Sequence, residues 1–270
     1  MPTLQVGPDI SLVYELTGPA NAEPLLFISG TGGDLRAPNL LRSRFAKSFR
    51  VIAYDQRGLG RSSKPDRPFT MADYAADAAR LLDHLDLASA KVFGISFGGM
   101  VAQEFAVTWP QRVERLLLAC TSTGGIGGAS YPLHTLAPSG DPRADAARRL
   151  ELADTRRTAQ WRAEHRDEVD KMVDLALETA AIGAGEPGRE VGARRQLEAR
   201  AGHDTYDRLG VVGCPCLIQG GLYDGIAAPD NLETLAGRIQ GSTLKMYQGG
   251  HLFHLQDRAA LDDAVAFLAS

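Results

Sequence analysis

Gly94-Ile95-Ser96-Phe97-Gly98 places a hydroxyl at the centre of a stretch built to turn tightly. It follows the short apolar run Lys91-Val92-Phe93 and leads into a helix-like segment from Gly99 to Trp109. A serine flanked by glycines two residues to either side, at a strand-to-helix junction, is the pattern of a nucleophile elbow. The turn strains the central residue and exposes its side chain, and only very small neighbours fit beside it, which Gly94 and Gly98 are; Gly99 lets the helix pack close to the sheet. A serine hydroxyl is a weak nucleophile near neutral pH and needs a base to take its proton. Gly249-Gly250-His251 offers an imidazole, and Gly221-Leu222-Tyr223-Asp224 a carboxylate that would fix its tautomer and stabilise its charged form. The chain order Ser, Asp, His is the one expected when an elbow heads a triad. The chemistry would be acyl transfer, with a tetrahedral oxyanion that needs preorganised N–H donors. The Phe97 amide is one by the geometry of an elbow, and the Thr31 amide, in the glycine turn Gly30-Thr31-Gly32, is the expected second.

Each residue has a plainer rival. Ser96 could cap a helix, but a cap does not need glycine at both spacings. His254 is the nearest competitor of His251 and is expected to pack beneath the loop; Asp230 competes with Asp224 and is expected to cap the helix that follows. The position after the sixth strand, Cys120-Thr121-Ser122, offers no carboxylate. Gly58-Leu59-Gly60-Arg61-Ser62-Ser63 falls short of a dinucleotide fingerprint, because it lacks a third glycine and runs into Lys64-Pro65.

These groups need a frame that gathers them at one rim. Leu4–Val6 and Ser11–Glu15 read as short strands joined by Gly7-Pro8-Asp9, and Pro24–Ser29 and Arg50–Asp55 as two more. Residues 37–49 carry apolar side chains at helical spacing, and residues 71–87 form an amphipathic helix with Tyr74, Ala78, Leu81, Leu82 and Leu85 on one stripe. Strands at 91–95 and 115–120 follow. After a long helical stretch, strands return at 216–220 and 244–247, with helices at 232–239 and 257–269. Continuous apolar strands alternating with helices predict an α/β fold, a mostly parallel sheet with helices on both faces and an antiparallel opening hairpin. Ligand sites in such sheets form beyond the carboxyl ends of the strands, where all the residues above fall. Residues 122–206 read as an inserted helical cap with a glycine hinge at Gly124–Gly128, leaving 1–121 and 207–270 as the core. Gly30, Tyr131, Trp161 and Met172 are expected to line the substrate pocket.

The 270 residues suffice for one large domain with an insertion, and 44% hydrophobic content with a net charge of −4 is ordinary for a globular chain. No basic block marks a nucleic-acid surface, and no apolar run reaches the roughly 18 residues that a spanning helix needs. Three cysteines, one pair of them in a lone C-x-C, fit buried hydrophobes better than a zinc site. With no secretory pattern at Met1–Gln5, a cytoplasmic monomer or homodimer is expected, acting on a small molecule without metal, nucleic acid or membrane.

On Gly94-Ile95-Ser96-Phe97-Gly98-Gly99, Tyr54-Asp55-Gln56-Arg57-Gly58-Leu59-Gly60-Arg61-Ser62, Gly221-Leu222-Tyr223-Asp224 and Gly249-Gly250-His251, the chain resembles the α/β-hydrolase superfamily over essentially its whole length. Its size and helical cap look most like the small bacterial esterase and lactonase branch, including 3-oxoadipate enol-lactonase-like proteins. The resemblance implies an eight-stranded sheet, a lid of helices over the site and a covalent acyl-enzyme with no cofactor. Ser29-Gly30 stands where that family usually has His-Gly; the glycine and the backbone donors are retained. The His-Gly-Gly-Pro-Gly turn of proline iminopeptidases is absent, and serine in place of aspartate at the elbow speaks against dehalogenase or epoxide hydrolase chemistry. The expected activity is serine hydrolysis of a small carboxylic ester or lactone, with kcat/KM rising through an apparent pKa near ~6–7 as His251 loses its proton. Two alternatives share the motifs: C–C bond hydrolysis of a ring-cleavage product, and a slow-turnover small-molecule receptor.

Overall fold

The structure is a computed structural model describing residues 1–270. Eight strands, β1 (Thr3–Gly7), β2 (Ile10–Thr17), β3 (Pro24–Ile28), β4 (Arg50–Tyr54), β5 (Ala90–Ile95), β6 (Val113–Ala119), β7 (Cys216–Gly221) and β8 (Thr243–Tyr247), form one sheet in the order β1-β2-β4-β3-β5-β6-β7-β8. β1 and β2 pair antiparallel, as β2 does with β4; every other pairing is parallel. Ten helices accompany it: α1 (Leu40–Phe45), α2 (Met71–His84), α3 (Phe97–Thr108), α4 (Pro142–Ala153), α5 (Ala159–Glu164), α6 (Arg166–Ala181), α7 (Arg189–Ala201), α8 (Pro229–Arg238), α9 (Phe253–Gln256) and α10 (Arg258–Ala269). None is long and apolar enough to cross a membrane.

The pleat sorts successive strand residues to opposite faces. Leu26, Val92, Leu116 and Ile218 pack with α2, α3 and α8 through Leu82, Phe105 and Leu232. Their neighbours Phe27, Phe93, Leu117 and Leu217 pack on the other face with α1 and α10 through Phe45, Ala264 and Leu268. The strands therefore read as unbroken apolar runs because both faces are covered.

Two local differences from expectation have clear causes. The helical spacing over 37–49 yields only α1, because Pro38 cannot continue a helix backwards and the Asn39 side chain accepts from the Arg42 N–H (2.9 Å) to begin it. The helix at 71–87 stops at His84, and Asp86 takes a positive φ of 54° that ends it. Its start is sharp: Thr70 and Asp73 form a reciprocal capping box.

Helices α4–α7 all lie between β6 and β7. The two ends of this insertion are tied together by a Gly124–Asp204 bridge and by the Thr205 N–H donating to the Thr123 carbonyl (2.9 Å). A Cβ on Gly124 would sit 1.8 Å from the His203 carbonyl oxygen. This glycine, part of the Gly124–Gly128 run, lets the two connections touch.

Candidate active site

The elbow forms where the spacing placed it, between β5 and α3. Ser96 has φ 55° and ψ −118°, a conformation rarely adopted by residues other than glycine. A Cβ on Gly94 would lie 2.4 Å from the Gly98 carbonyl oxygen, and one on Gly98 2.1 Å from that of Ile28, so neither position accepts a side chain.

Asp224 and His251 reach Ser96 because the loops after β7 and β8 pack backbone to backbone. A Cβ on Gly221 would meet the carbonyl oxygens of Gly250 and Gly249 at 2.2 and 2.4 Å, and the Tyr223 N–H donates to the Gly249 carbonyl (2.9 Å). His251 Nδ1 lies 2.7 Å from Asp224 Oδ2, and Nε2 lies 3.0 Å from Ser96 Oγ. A carboxylate can only accept, so Nδ1 carries the hydrogen, and in the neutral ring Nε2 is left to accept from the serine hydroxyl. The other carboxylate oxygen, Oδ1, accepts the Ile226 and Ala227 N–H groups at 2.8 and 2.9 Å, which pins Asp224 in one rotamer. Thus Ser96, Asp224 and His251 come together as their order along the chain led one to expect.

Three features of this line were not foreseen. Cys120, treated from the sequence as a buried hydrophobe, sits at the end of β6 with φ 40°, and its Sγ is within 4.8 Å of the ligating atoms of Asp224 and His251. The Asp224 carboxylate oxygens are already committed to His251 and to two amides. Burial, the largest single influence, pushes the His251 pKa down; the Cys120 sulfur and the Asp224 carboxylate together outweigh it, and the net result lies well above the ordinary imidazole value. Finally, the end of α4 and the residues just after it clamp the loops of the site: the His251 N–H donates to the Ala153 carbonyl (2.6 Å), the Thr155 N–H to the Tyr223 carbonyl (2.9 Å), and Gln256 Nε2 to Asp154 (2.9 Å). No short motif could reveal these contacts, because they join residues about 70 to 100 positions apart.

The rival groups settle into structural roles. His254 is buried, its Nε2 lies 3.0 Å from Gln219 Oε1, and burial pushes its pKa down to about 3, so it stays neutral. Asp230 does not cap α8; Ala228 holds that position and Asp230 falls in the first turn, where a negative charge still suits the helix dipole. The Gly58–Ser63 loop is organised by Asp55, whose carboxylate accepts the N–H groups of Leu35 (2.7 Å) and Arg61 (3.0 Å). Arg57 and Asp77 form a buried pair with two 2.7 Å contacts beneath it. Ser29 is held by Gln56, whose Nε2 donates to its carbonyl at 2.8 Å.

A cavity of about 620 Å³ opens over Ser96 and His251, within the range of small-molecule sites. Gly30, expected in the pocket, lines it together with Thr31; a Cβ on Gly30 would be 3.4 Å from that of Ser96. The Thr31 N–H donates to no backbone group, and the Phe97 N–H belongs to the first turn of α3, whose amides have no partner within the helix. Leu152 of α4, Ala176 and Ala180 of α6 and Leu197 of α7 supply much of the apolar wall.

Tyr131, Trp161 and Met172, expected in the pocket, do not line it. Tyr131 contributes its backbone: its N–H donates to the Ile226 carbonyl (2.7 Å) and its carbonyl accepts from Arg200 (2.7 Å). Trp161 stacks on His165, with ring centroids 4.4 Å apart and planes within 9°. Met172 lies one turn before Ala176, short of the cavity. Large apolar residues on cap helices can serve packing within the cap or the cavity wall, and composition does not distinguish the two.

Gln196 of α7, which no motif singled out, stands at the glycine turn beside the reacting end. Its Oε1 accepts the Gly32 N–H at 2.8 Å, which fixes the orientation of the amide. The Nε2 group is left without an acceptor on a fully buried side chain that lines the cavity.

The sequence profile of the α/β-hydrolase fold matches residues 23–257. The chain belongs to the α/β-hydrolase family. Among its relatives, a poly(3-hydroxyalkanoate) depolymerase of Ectopseudomonas oleovorans is 31% identical over 238 residues, covering 87% of this chain and 80% of that protein. A 3-oxoadipate enol-lactonase 2 of Acinetobacter baylyi is 28% identical over 260 residues, covering 95% and 92%. Among α/β-hydrolases of known structure, the enol-lactonase of Burkholderia xenovorans aligns over the whole of both chains with a TM-score of 0.78; at 24% identity it speaks for the fold alone.

Proposed function

We propose that this α/β-hydrolase is a serine hydrolase of small carboxylic esters or lactones that works through an acyl-enzyme. The observation that carries the reading is the unbroken line from Asp224 through His251 to Ser96 at the floor of a cavity with apolar walls. Relatives named as an enol-lactonase and a poly(3-hydroxyalkanoate) depolymerase support the substrate class. Ser96 Oγ attacks the carbonyl while His251 Nε2 takes its proton. The charge on the imidazolium is stabilised by Asp224, and the oxyanion by the amides of Thr31 and Phe97. His251 then protonates the leaving oxygen; in a lactone that oxygen remains tethered to the acyl group. Water, deprotonated by His251, attacks the acyl-serine and releases the acid. Helices of the 122–206 cap, which wall the cavity, would choose the acyl group.

A panel of p-nitrophenyl esters and lactones, read by turnover and by intact mass, tests this. A mass increase equal to the acyl group on Ser96 during turnover is expected; hydrolysis of no ester or lactone in the panel would sink the reading.

The pH profile follows from the environment of His251. Only the neutral ring accepts a proton, and its pKa is raised, so kcat/KM should climb with pH along a limb whose midpoint lies above the ordinary imidazole value. A midpoint at or below that value would contradict the placement of His251 between Asp224 and Cys120.

Gln196 should matter for substrates with an acceptor atom near the scissile carbonyl. Gln196→Glu keeps an oxygen for the Gly32 N–H but removes the free donor, and is expected to lower kcat/KM on such substrates by about tenfold, the worth of one buried hydrogen bond. Acetate esters, which offer no second acceptor, serve as the control; an equal loss on both would indicate general damage to the site.

A further inference from the structure

A second cavity, of about 110 Å³, lies between α3, the loop after β6 and the end of α7. Ser122, Ser130, His134, Arg200 and His203 supply its polar lining, and no acidic side chain lines it. Arg200 is only 6% exposed, and no carboxylate acts on its charge. One Nη group donates to the Tyr131 carbonyl, and Nε has no acceptor. Burial alone pushes its pKa down to about 10, which leaves it a cation at neutral pH. Glu104, a carboxylate on α3, is spent on a two-point pair with Arg208 at 2.7 and 2.8 Å.

His203 supplies the complementary group. It is 5% exposed, and its Nε2 lies 3.1 Å from the Ser122 carbonyl, which can only accept; Nε2 therefore carries the hydrogen. Burial pushes its pKa down to about 4, so the ring is neutral and Nδ1 is a lone-pair acceptor, without a partner in the protein. The Ser122 and Ser130 hydroxyls, 2.8 Å apart, can donate or accept.

A buried cation without a counterion is costly, and so is a buried acceptor without a donor. We propose that this cavity binds a small oxyanion that keeps a proton, of the hydrogen phosphate or bicarbonate type. Arg200 donates to the charged oxygens, and His203 Nδ1 accepts the hydrogen of the protonated one. A cavity of about 110 Å³ has room for an ion of four or five heavy atoms. Exposed Pro132 and His134 lie at its mouth and leave a way in. The site is separate from Ser96, so it stands or falls independently of the proposed hydrolysis.

Titration of the full chain with inorganic phosphate, bicarbonate, sulfate and chloride, followed by calorimetry and by the nitrogen resonances of the His203 ring, tests the proposal. Saturable binding of phosphate or bicarbonate is expected, with a shift of the Nδ1 resonance; the tighter of the two identifies the ion. Sulfate and chloride, which bring no proton, should bind at least about tenfold more weakly, and Arg200→Gln should weaken the preferred ion by a similar factor. Absence of saturable binding in the wild type would overturn the site, as would unchanged affinity in Arg200→Gln. Sulfate binding as tightly as phosphate would overturn the ligand class. If Arg200→Gln does not fold, an Nδ1 resonance that stays put in the wild type at saturating phosphate and bicarbonate overturns the site equally.

Discussion

Ser96→Ala should lower kcat by about 10⁴-fold or more on every substrate that the wild type hydrolyses, with no acyl adduct detectable by intact mass. The size of the loss follows from connectivity: without Oγ no covalent intermediate forms, and His251 has no proton to take. Binding should survive, because Ser96 is one of many residues around a cavity of about 620 Å³. Alanine meets the same backbone strain at φ 55° as serine does, so thermal stability should scarcely change. Glycine at this position should instead raise stability by about 1 kcal/mol, since it adopts that conformation without a Cβ penalty. Full turnover in Ser96→Ala would assign the nucleophile elsewhere; a large drop in melting temperature would make the kinetic result uninterpretable and would call for comparison with the glycine variant.

Asp224→Asn should cost about 10⁴-fold in kcat with the fold intact, and the geometry explains why so small a change does so much. The Ile226 and Ala227 amides both point at one side-chain oxygen. In the variant they select the asparagine oxygen, which turns the NH2 group toward His251 Nδ1. That nitrogen must then accept, so the hydrogen moves to Nε2 and the ring presents a donor to Ser96 Oγ where a base is required. The same substitution removes one of the groups that raise the His251 pKa, and the residual activity should show its acid limb at lower pH than the wild type. Steady-state rates across pH check both effects. Cys120→Ala offers a separate handle, because it should also move that limb to lower pH while leaving the tautomer, and most of the rate, in place.

The insertion between β6 and β7 is bonded to the core at several points. Ala153 and Thr155 bond directly to the loops that carry His251 and Asp224, and Arg36 beside the glycine turn pairs with both Asp34 and Glu186.

What could be read from the sequence was whatever local sterics dictate. A hydroxyl on a turn with glycine at both spacings admits few conformations, so Gly94, Ser96 and Gly98 announced the elbow, and the alternation of apolar strands with helices announced a sheet covered on both faces. Because strand ends gather at one rim, the placement of Asp224 and His251 followed from order along the chain. Tertiary structure alone decided the rest, since it depends on which loops touch across long sequence separations. Cys120 became a neighbour of His251 only through the pairing of β6 with β5 and β7; Gln196 came to the glycine turn only through the docking of α7. Trp161 and Met172 were misplaced for the complementary reason: an apolar side chain on a cap helix is equally content against its own helix neighbours or against a cavity, and only packing decides which surface it covers.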